Sequence, residues 1–153
     1  MQILRTPTER FADIPDYPFA ENWFETDLGD GLSARMHYID EGPRDAPPVL
    51  LFHGEPSWSF LYRKMIPLLV DAGFRVLAPD LIGFGKSDKP DDPAFYTYDR
   101  HMAWLKQWRD AVVPQPVSPL LLAAIPEAPE IVPPHIPSGR SALPRSEEHT
   151  SEL

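Results

Sequence analysis

The sequence predicts an α/β fold, in which a β-hairpin precedes a unit of strand, helix and strand. Three observations predict it: a tight turn at Asp30-Gly31 between two strand-like segments, an apolar run at residues 49–52, and a helical pattern directly after that run. Strands that alternate with helices along a chain are typical of a sheet whose central strands run parallel.

The hairpin is predicted from its turn. Residues 22–27 and 34–41 have the pattern of strands, and Gly29-Asp30-Gly31 joins them. An Asp-Gly pair supplies the positive φ angles that a tight reversal requires. We therefore expect an antiparallel pair at one edge of the sheet.

The parallel part of the sheet is predicted from two apolar segments. Residues 49–52 are apolar at every position, which is typical of a strand covered on both faces. Residues 74–78 form the second predicted strand, which ends at Pro79-Asp80. A right-handed crossover joins such strands in nearly every known case.

A helix is predicted between these two strands, from about Ser59 to Gly73. Pro67 removes one hydrogen bond of the helix, so we expect a kink or a break at residues 63–67. The predicted buried face consists of apolar residues at helical spacing, namely Leu61, Met65, Leu68 and Ala72.

The regular pattern ends shortly after a second helix. Beyond a loop at residues 81–93, Asp99 is expected to cap a helix that carries Met102, Leu105 and Trp108 on one side. We predict a folded part at residues 1–108 and a non-homologous part at residues 109–153. The second part contains nine of the 20 prolines, and we expect it to be disordered.

Composition excludes several classes of partner. A net charge of −9 argues against nucleic acid, because phosphate binding requires clustered Lys and Arg. The chain has no cysteine, which excludes thiolate metal sites and suits a cytoplasmic location. The first residues lack the apolar core of a secretory signal, and no apolar run is long enough for a membrane span, so we expect no membrane partner.

Three stretches carry a resemblance to a known family: residues 51–58 (LFHGEPSW), 60–67 (FLYRKMIP) and 78–90 (APDLIGFGKSDKP). Together they resemble haloalkane dehalogenases, over residues 1 to about 108. The resemblance implies the N-terminal half of an α/β-hydrolase sheet. Epoxide hydrolases and other α/β-hydrolases are the alternative.

The resemblance implies a two-step displacement. An Asp nucleophile attacks the halogen-bearing carbon of a small haloalkane, and water activated by a His hydrolyses the alkyl ester. The backbone N–H of Glu55 is then expected to form half of the oxyanion hole. The parent enzyme is expected to be a monomer that uses no cofactor and no metal.

The residues around Glu55 allow two interpretations each. His53 is expected to organise the loop formed with Gly54 and Pro56, with a role as general base as the alternative. Trp58 is expected to pack beneath the following helix, with pocket lining as the alternative. Asp80 is expected to hold its loop, although acids at strand ends often perform chemistry in such sheets.

The groups that would complete this chemistry have no counterpart in the sequence. We find no segment of the nucleophile-elbow type, and the acid and His base are also expected to be missing. We therefore expect a truncated, inactive chain whose strand at 49–52 is left as a sheet edge that recruits other chains. Soluble aggregation or chaperone dependence should follow.

Residues 109–153 suggest two further hypotheses. Arg145 to Leu153 (RSEEHTSEL) resembles a translated sequencing adapter, which predicts an artefactual tail. The alternative is an interaction segment, because PxxP sequences in a polyproline II helix bind partner domains. Those sequences begin at Pro116, Pro126 and Pro134.

Overall fold

A computed structural model describes residues 1–113 of the 153-residue chain. The strands are β1 (Ile3–Leu4), β2 (Asn22–Gly29), β3 (Leu32–Glu41), β4 (Pro48–Leu50), β5 (Arg75–Pro79) and β6 (Lys89–Pro90). The α-helices are α1 (Met65–Asp71) and α2 (Tyr98–Val112), and three short 3-10 helices lie at Thr8–Phe11, Ser59–Tyr62 and Pro93–Phe95. Neither α-helix of this part of the chain has the length and apolar character needed to cross a membrane.

The main sheet has four strands in the order β2, β3, β5, β4. Its first two pairs are antiparallel, whereas β4 and β5 run parallel and are connected through α1. The short strands β1 and β6 pair separately. The predicted α/β fold, with a hairpin followed by a strand, helix and strand, is confirmed.

The hairpin follows its prediction at the turn. Asp30 has φ 53° and Gly31 has φ 73°, the left-handed conformations that an Asp-Gly reversal adopts. β2 and β3 extend closer to this turn than their predicted limits, because residues next to the reversal still pair.

β4 is shorter and more open than predicted. The strand spans Pro48–Leu50, and Phe52, at the end of the apolar run, is 45% exposed. The prediction that residues 49–52 are covered on both faces is therefore wrong for the described residues. The reason is that β4 pairs with β5 on one side only, and it forms an edge of the described sheet.

The break in the first helical segment lies where Pro67 predicted it. A 3-10 helix ends at Tyr62 and α1 begins at Met65, so Pro67 lies in the first turn of α1. The N–H groups of a first turn make no hydrogen bond within the helix, so proline is tolerated there. The predicted buried face is wrong. Ile66 is 1% exposed, whereas the exposed fractions of Leu61, Met65 and Leu68 are 56%, 48% and 69%.

α2 corrects two further predictions. Its cap is Thr97, whose hydroxyl accepts a hydrogen bond from the Arg100 N–H, and not Asp99, which lies in the first turn. The helix continues to Val112, past the predicted boundary between residues 108 and 109, and that division of the chain stays a prediction. Disorder was predicted from residue 109, but residues 109–112 belong to α2. The rest of that prediction, with the adapter-like end and the PxxP sequences, falls on residues 114–153, outside the described part.

α1 and α2 cover opposite faces of the sheet. Successive side chains of β5 point to opposite faces of the sheet: Leu77 contacts the core beneath α2, whereas Val76 and Ala78 contact the core beneath α1. Trp104 and Trp108 of α2 fill the first core, in place of the partly exposed Met102. This arrangement brings the loops after β4 and β5 together at the carboxyl ends of the parallel strands, where open α/β sheets carry their sites.

Candidate active site

His53 lies directly after β4 and uses both ring nitrogens to hold the loop. Nε2 accepts a hydrogen bond from the Leu81 N–H at 2.9 Å, so the ring proton is assigned to Nδ1, which donates to the Gly54 carbonyl at 3.0 Å. The side chain thereby ties the loop after β4 to the loop after β5. Because Nε2 is occupied, this ring is not free to take a proton from water.

Glu55 follows on the exposed side of the same loop. Its backbone N–H has no hydrogen-bond acceptor among the described residues, although the next turn closes through a bond from the Ser57 N–H to the Gly54 carbonyl. Glu55 borders a cavity of about 590 Å³ whose aromatic wall includes Phe84 and Tyr96. An unengaged N–H beside a cavity can donate to a ligand atom there.

Asp80 follows β5 and is fully buried. Oδ1 accepts the Ser59 N–H at 2.8 Å, and Oδ2 accepts the Lys86 N–H at 2.9 Å and contacts His37 Nδ1 at 2.9 Å. Burial raises the pKa of Asp80, but the His37 hydrogen bond and charge, with the two backbone donors, lower it overall. Both oxygens are fully engaged, so Asp80 fixes loops and is not presented to a substrate.

Ser87 completes the attachment of the loop after β5. Its hydroxyl donates to the Asp80 carbonyl at 2.6 Å and accepts the His37 N–H at 2.9 Å. Gly85 has φ 47° and lies against the Asp80 carboxylate, so closely that a Cβ would overlap it. The loop therefore requires glycine at this position.

Trp58 belongs to an aromatic cluster and does not reach the cavity beside Glu55. Its ring stacks on Phe60 with an interplanar angle of 16° and a centroid separation of 5.6 Å. Tyr17 lies on it at 5.1 Å, and the Tyr17 hydroxyl is hydrogen-bonded to Ser59 at 2.6 Å. Trp58 thus packs against the 3-10 helix that follows it and against the N-terminal segment.

Sequence reasoning missed two histidines. His37 is buried on β3 and partners Asp80, while His101 of α2 borders the cavity opposite Glu55. Burial, and then the electrostatic effect of the nearby His53 ring, lower the pKa of His101. The alternation in β3 places His37 on the face opposite Ala34 and Met36, with Arg35, so the sequence pattern does not signal its burial or link it with Asp80.

Comparison with known proteins shows what part of the chain is similar to. The α/β hydrolase fold family matches residues 47–117. A haloalkane dehalogenase of Psychrobacter cryohalolentis is 58% identical over 110 residues, and one of Mycobacterium marinum is 57% identical over 108 residues. These alignments cover 72% and 71% of this chain but only 36% of each relative.

Two solved structures resemble the described part. The tetrameric haloalkane dehalogenase DpaA from Paraglaciecola agarilytica NO2 superposes with a TM-score of 0.68 and 50% identity, over 73% of this chain and 38% of DpaA. Epoxide hydrolase A from Mycobacterium thermoresistibile superposes with a TM-score of 0.53 and 36% identity, over 61% of this chain and 28% of the epoxide hydrolase. The tetramer does not agree with the expectation of a monomeric parent.

The described residues have the α/β hydrolase fold. Among proteins of that fold, the chain resembles the haloalkane dehalogenases, as its sequence motifs predicted. The chain spans little more than a third of the length of the relatives that it matches.

Proposed function

We propose that the described residues form the N-terminal part of a hydrolase that acts on carbon–halide bonds, and that they supply one oxyanion donor to it. The observation that carries the proposal is the unengaged N–H of Glu55, which lies beside the cavity on a loop held by His53. The similarity to haloalkane dehalogenases supports the reaction class.

The chemistry proposed for the assembled enzyme has two steps. A carboxylate displaces halide from a haloalkane and forms an alkyl ester, which water then hydrolyses to an alcohol and the free carboxylate. The Glu55 N–H stabilises the oxyanion of the second step, a contribution typically of about 10²–10³ in rate. An ionised Glu55 side chain only accepts hydrogen bonds, so halide must be bound by other groups.

Epoxide hydrolysis is the second candidate. The epoxide hydrolase superposition, at 36% identity, favours it because the same loop geometry can stabilise the ester intermediate of either reaction. A cytoplasmic location remains a prediction from the cysteine-free composition.

The test is a chimera in which residues 1–113 replace the matching part of the Psychrobacter cryohalolentis relative. We expect it to release halide from a small bromoalkane and to leave a styrene-type epoxide unopened. The 153-residue chain alone is the matched control, and it should release no halide. Epoxide opening without halide release by the chimera would reject the first candidate.

A further inference from the structure

Two residues of the segment before β2 hold the residues that donate backbone N–H groups to Asp80. The Tyr17 and Ser59 hydroxyls share a hydrogen bond of 2.6 Å, and the Lys86 ammonium donates to the Glu21 carboxylate at 2.7 Å. Ser59 and Lys86 are also the residues whose backbone N–H groups donate to Asp80, one to each carboxylate oxygen. Both backbone donors of Asp80 are therefore held, through their side chains, by the N-terminal segment (residues 1–21).

The two contacts are sheltered from water. Tyr17 and Ser59 are buried, and the Lys86 side chain is only 8% exposed. The Lys86 ammonium also lies 5.5 Å and 5.4 Å from the ring centroids of Phe11 and Tyr17, close enough for a cation–π attraction. Charge pairs in such places are screened less by salt than exposed pairs are. We therefore expect the contact of Lys86 with Glu21 to be stronger than an exposed ion pair.

The rest of the N-terminal segment contacts the same two loops. β1 pairs with β6, which directly follows the loop after β5, and the Arg5 guanidinium contacts the Asp88 carboxylate at 3.2 Å. The Phe11 ring lies 5.6 Å from that of Trp58, the residue before Ser59. All of these partners lie within the described part of the chain. The N-terminal segment therefore contacts the loop after β4 and the loop after β5 at several points along its length.

We infer that the N-terminal segment is a clamp that holds the loops after β4 and β5 on the Asp80 carboxylate. Tyr17 and Glu21 are its positioning residues, since each acts through one backbone donor of that carboxylate. Because the two contacts meet on one carboxylate, loosening either contact should also loosen the donor held by the other. Two unrelated structural contacts would not behave in this way. The inference concerns the framework of the candidate site and does not rest on the proposed reaction.

The test is amide hydrogen exchange of the full chain, resolved by residue with NMR. Tyr17→Phe removes one hydroxyl and keeps the ring beside Lys86, whereas Glu21→Gln removes a charge and keeps the size of the side chain. Either variant should speed exchange of both the Ser59 and the Lys86 N–H by about tenfold, because the loss of such a hydrogen bond makes local opening easier. Amides of the β2–β3 hairpin correct for any general loss of stability.

Two matched controls remove similar groups elsewhere. Tyr62→Phe also deletes a hydroxyl that makes a hydrogen bond of 2.6 Å, but its partner is the Phe52 carbonyl and not a donor to the buried carboxylate. Asp110→Asn also deletes the charge of a carboxylate paired with a lysine, in this case the exposed pair with Lys106. Neither control should change exchange of the two test amides by more than about twofold.

Urea unfolding gives a second readout. If both contacts act through one carboxylate, the double variant Tyr17→Phe/Glu21→Gln should lower the folding equilibrium constant by less than the product of the two single effects. Each single variant is informative alone, because its effect on the donor held by the other residue is the decisive observation. Exchange that changes only at the nearer donor, at every amide alike or equally in a control would overturn the inference. So would single effects that multiply in the double variant.

Discussion

Asp80 is the residue on which three segments of the site converge. Its carboxylate receives Ser59 from the loop after β4, Lys86 from the loop after β5, and His37 from β3. A carboxylate with such partners in a buried position costs free energy if any partner is lost. At this scale, Asp80 joins the loop after β4 to the loop after β5 and to β3.

Asp80→Asn tests that role through stability. The folded-state pKa of Asp80 is below its ordinary value, so its ionised form contributes stability above about pH 4, and that contribution is lost as pH falls through the lowered pKa. We expect the substitution to lower the free energy of unfolding by about 3–5 kcal/mol near neutral pH. The acid limb of the stability profile should also flatten.

Urea unfolding followed by circular dichroism across a pH series measures both effects. Asp110→Asn is the control, since Asp110 is an exposed carboxylate on α2 whose pKa is also lowered, by Lys106 and then Arg109. The control should stay close to the parent chain. An acid limb that is unchanged in Asp80→Asn would show that the carboxylate does not stabilise the loops.

At the scale of elements, the turn chemistry of the hairpin was predictable and the face of α1 was not. Asp30-Gly31 determines a local conformation, which sequence alone contains. The prediction of the buried face of α1 treated residues 59–72 as one continuous helix. Because the helix breaks before Met65, its rotation is reset, and Ile66 points inward in place of Leu68.

A matched pair of substitutions tests this corrected face. Ile66→Ala should lower the free energy of unfolding by about 2–5 kcal/mol, because it opens a cavity in the core beneath α1. Leu68→Ala, on the exposed side of the same helix, should change it by no more than about 0.5 kcal/mol. Urea titration measures the free energy of unfolding of both variants. Equal losses of stability would support the buried face that residue spacing alone predicted.

As with the fold, part of the candidate site was predictable from the sequence and part was not. The family resemblance at residues 51–58 and 78–90 implied a site on these two loops, with the Glu55 N–H as an oxyanion contact that stays a prediction. The pairing of His37 with Asp80 joins residues 43 positions apart, so only the folded sheet reveals it. His101 was missed for a similar reason, because α2 brings it to the cavity from the far end of the described part.

At the scale of the whole molecule, the described residues provide a donor but no free nucleophile and base. Asp80 and His37 are adjacent, yet both are buried and engaged with each other. The sequence-based prediction of an inactive chain is tested by halide release from bromoalkanes, measured by ion-selective electrode, and we expect none above the buffer rate. Release that scales with chain concentration and survives repurification would contradict this expectation.

The most direct measurement concerns the Glu55 N–H in the chimera. Glu55→Pro removes that N–H, whereas Glu55→Gln removes the charge and keeps the donor. In rapid-mixing experiments, Glu55→Pro should release one halide per enzyme at a nearly normal rate and then turn over about 10²–10³ times more slowly, because only ester hydrolysis needs the oxyanion donor. Glu55→Gln should keep steady turnover, and equal turnover in the two variants would contradict the account.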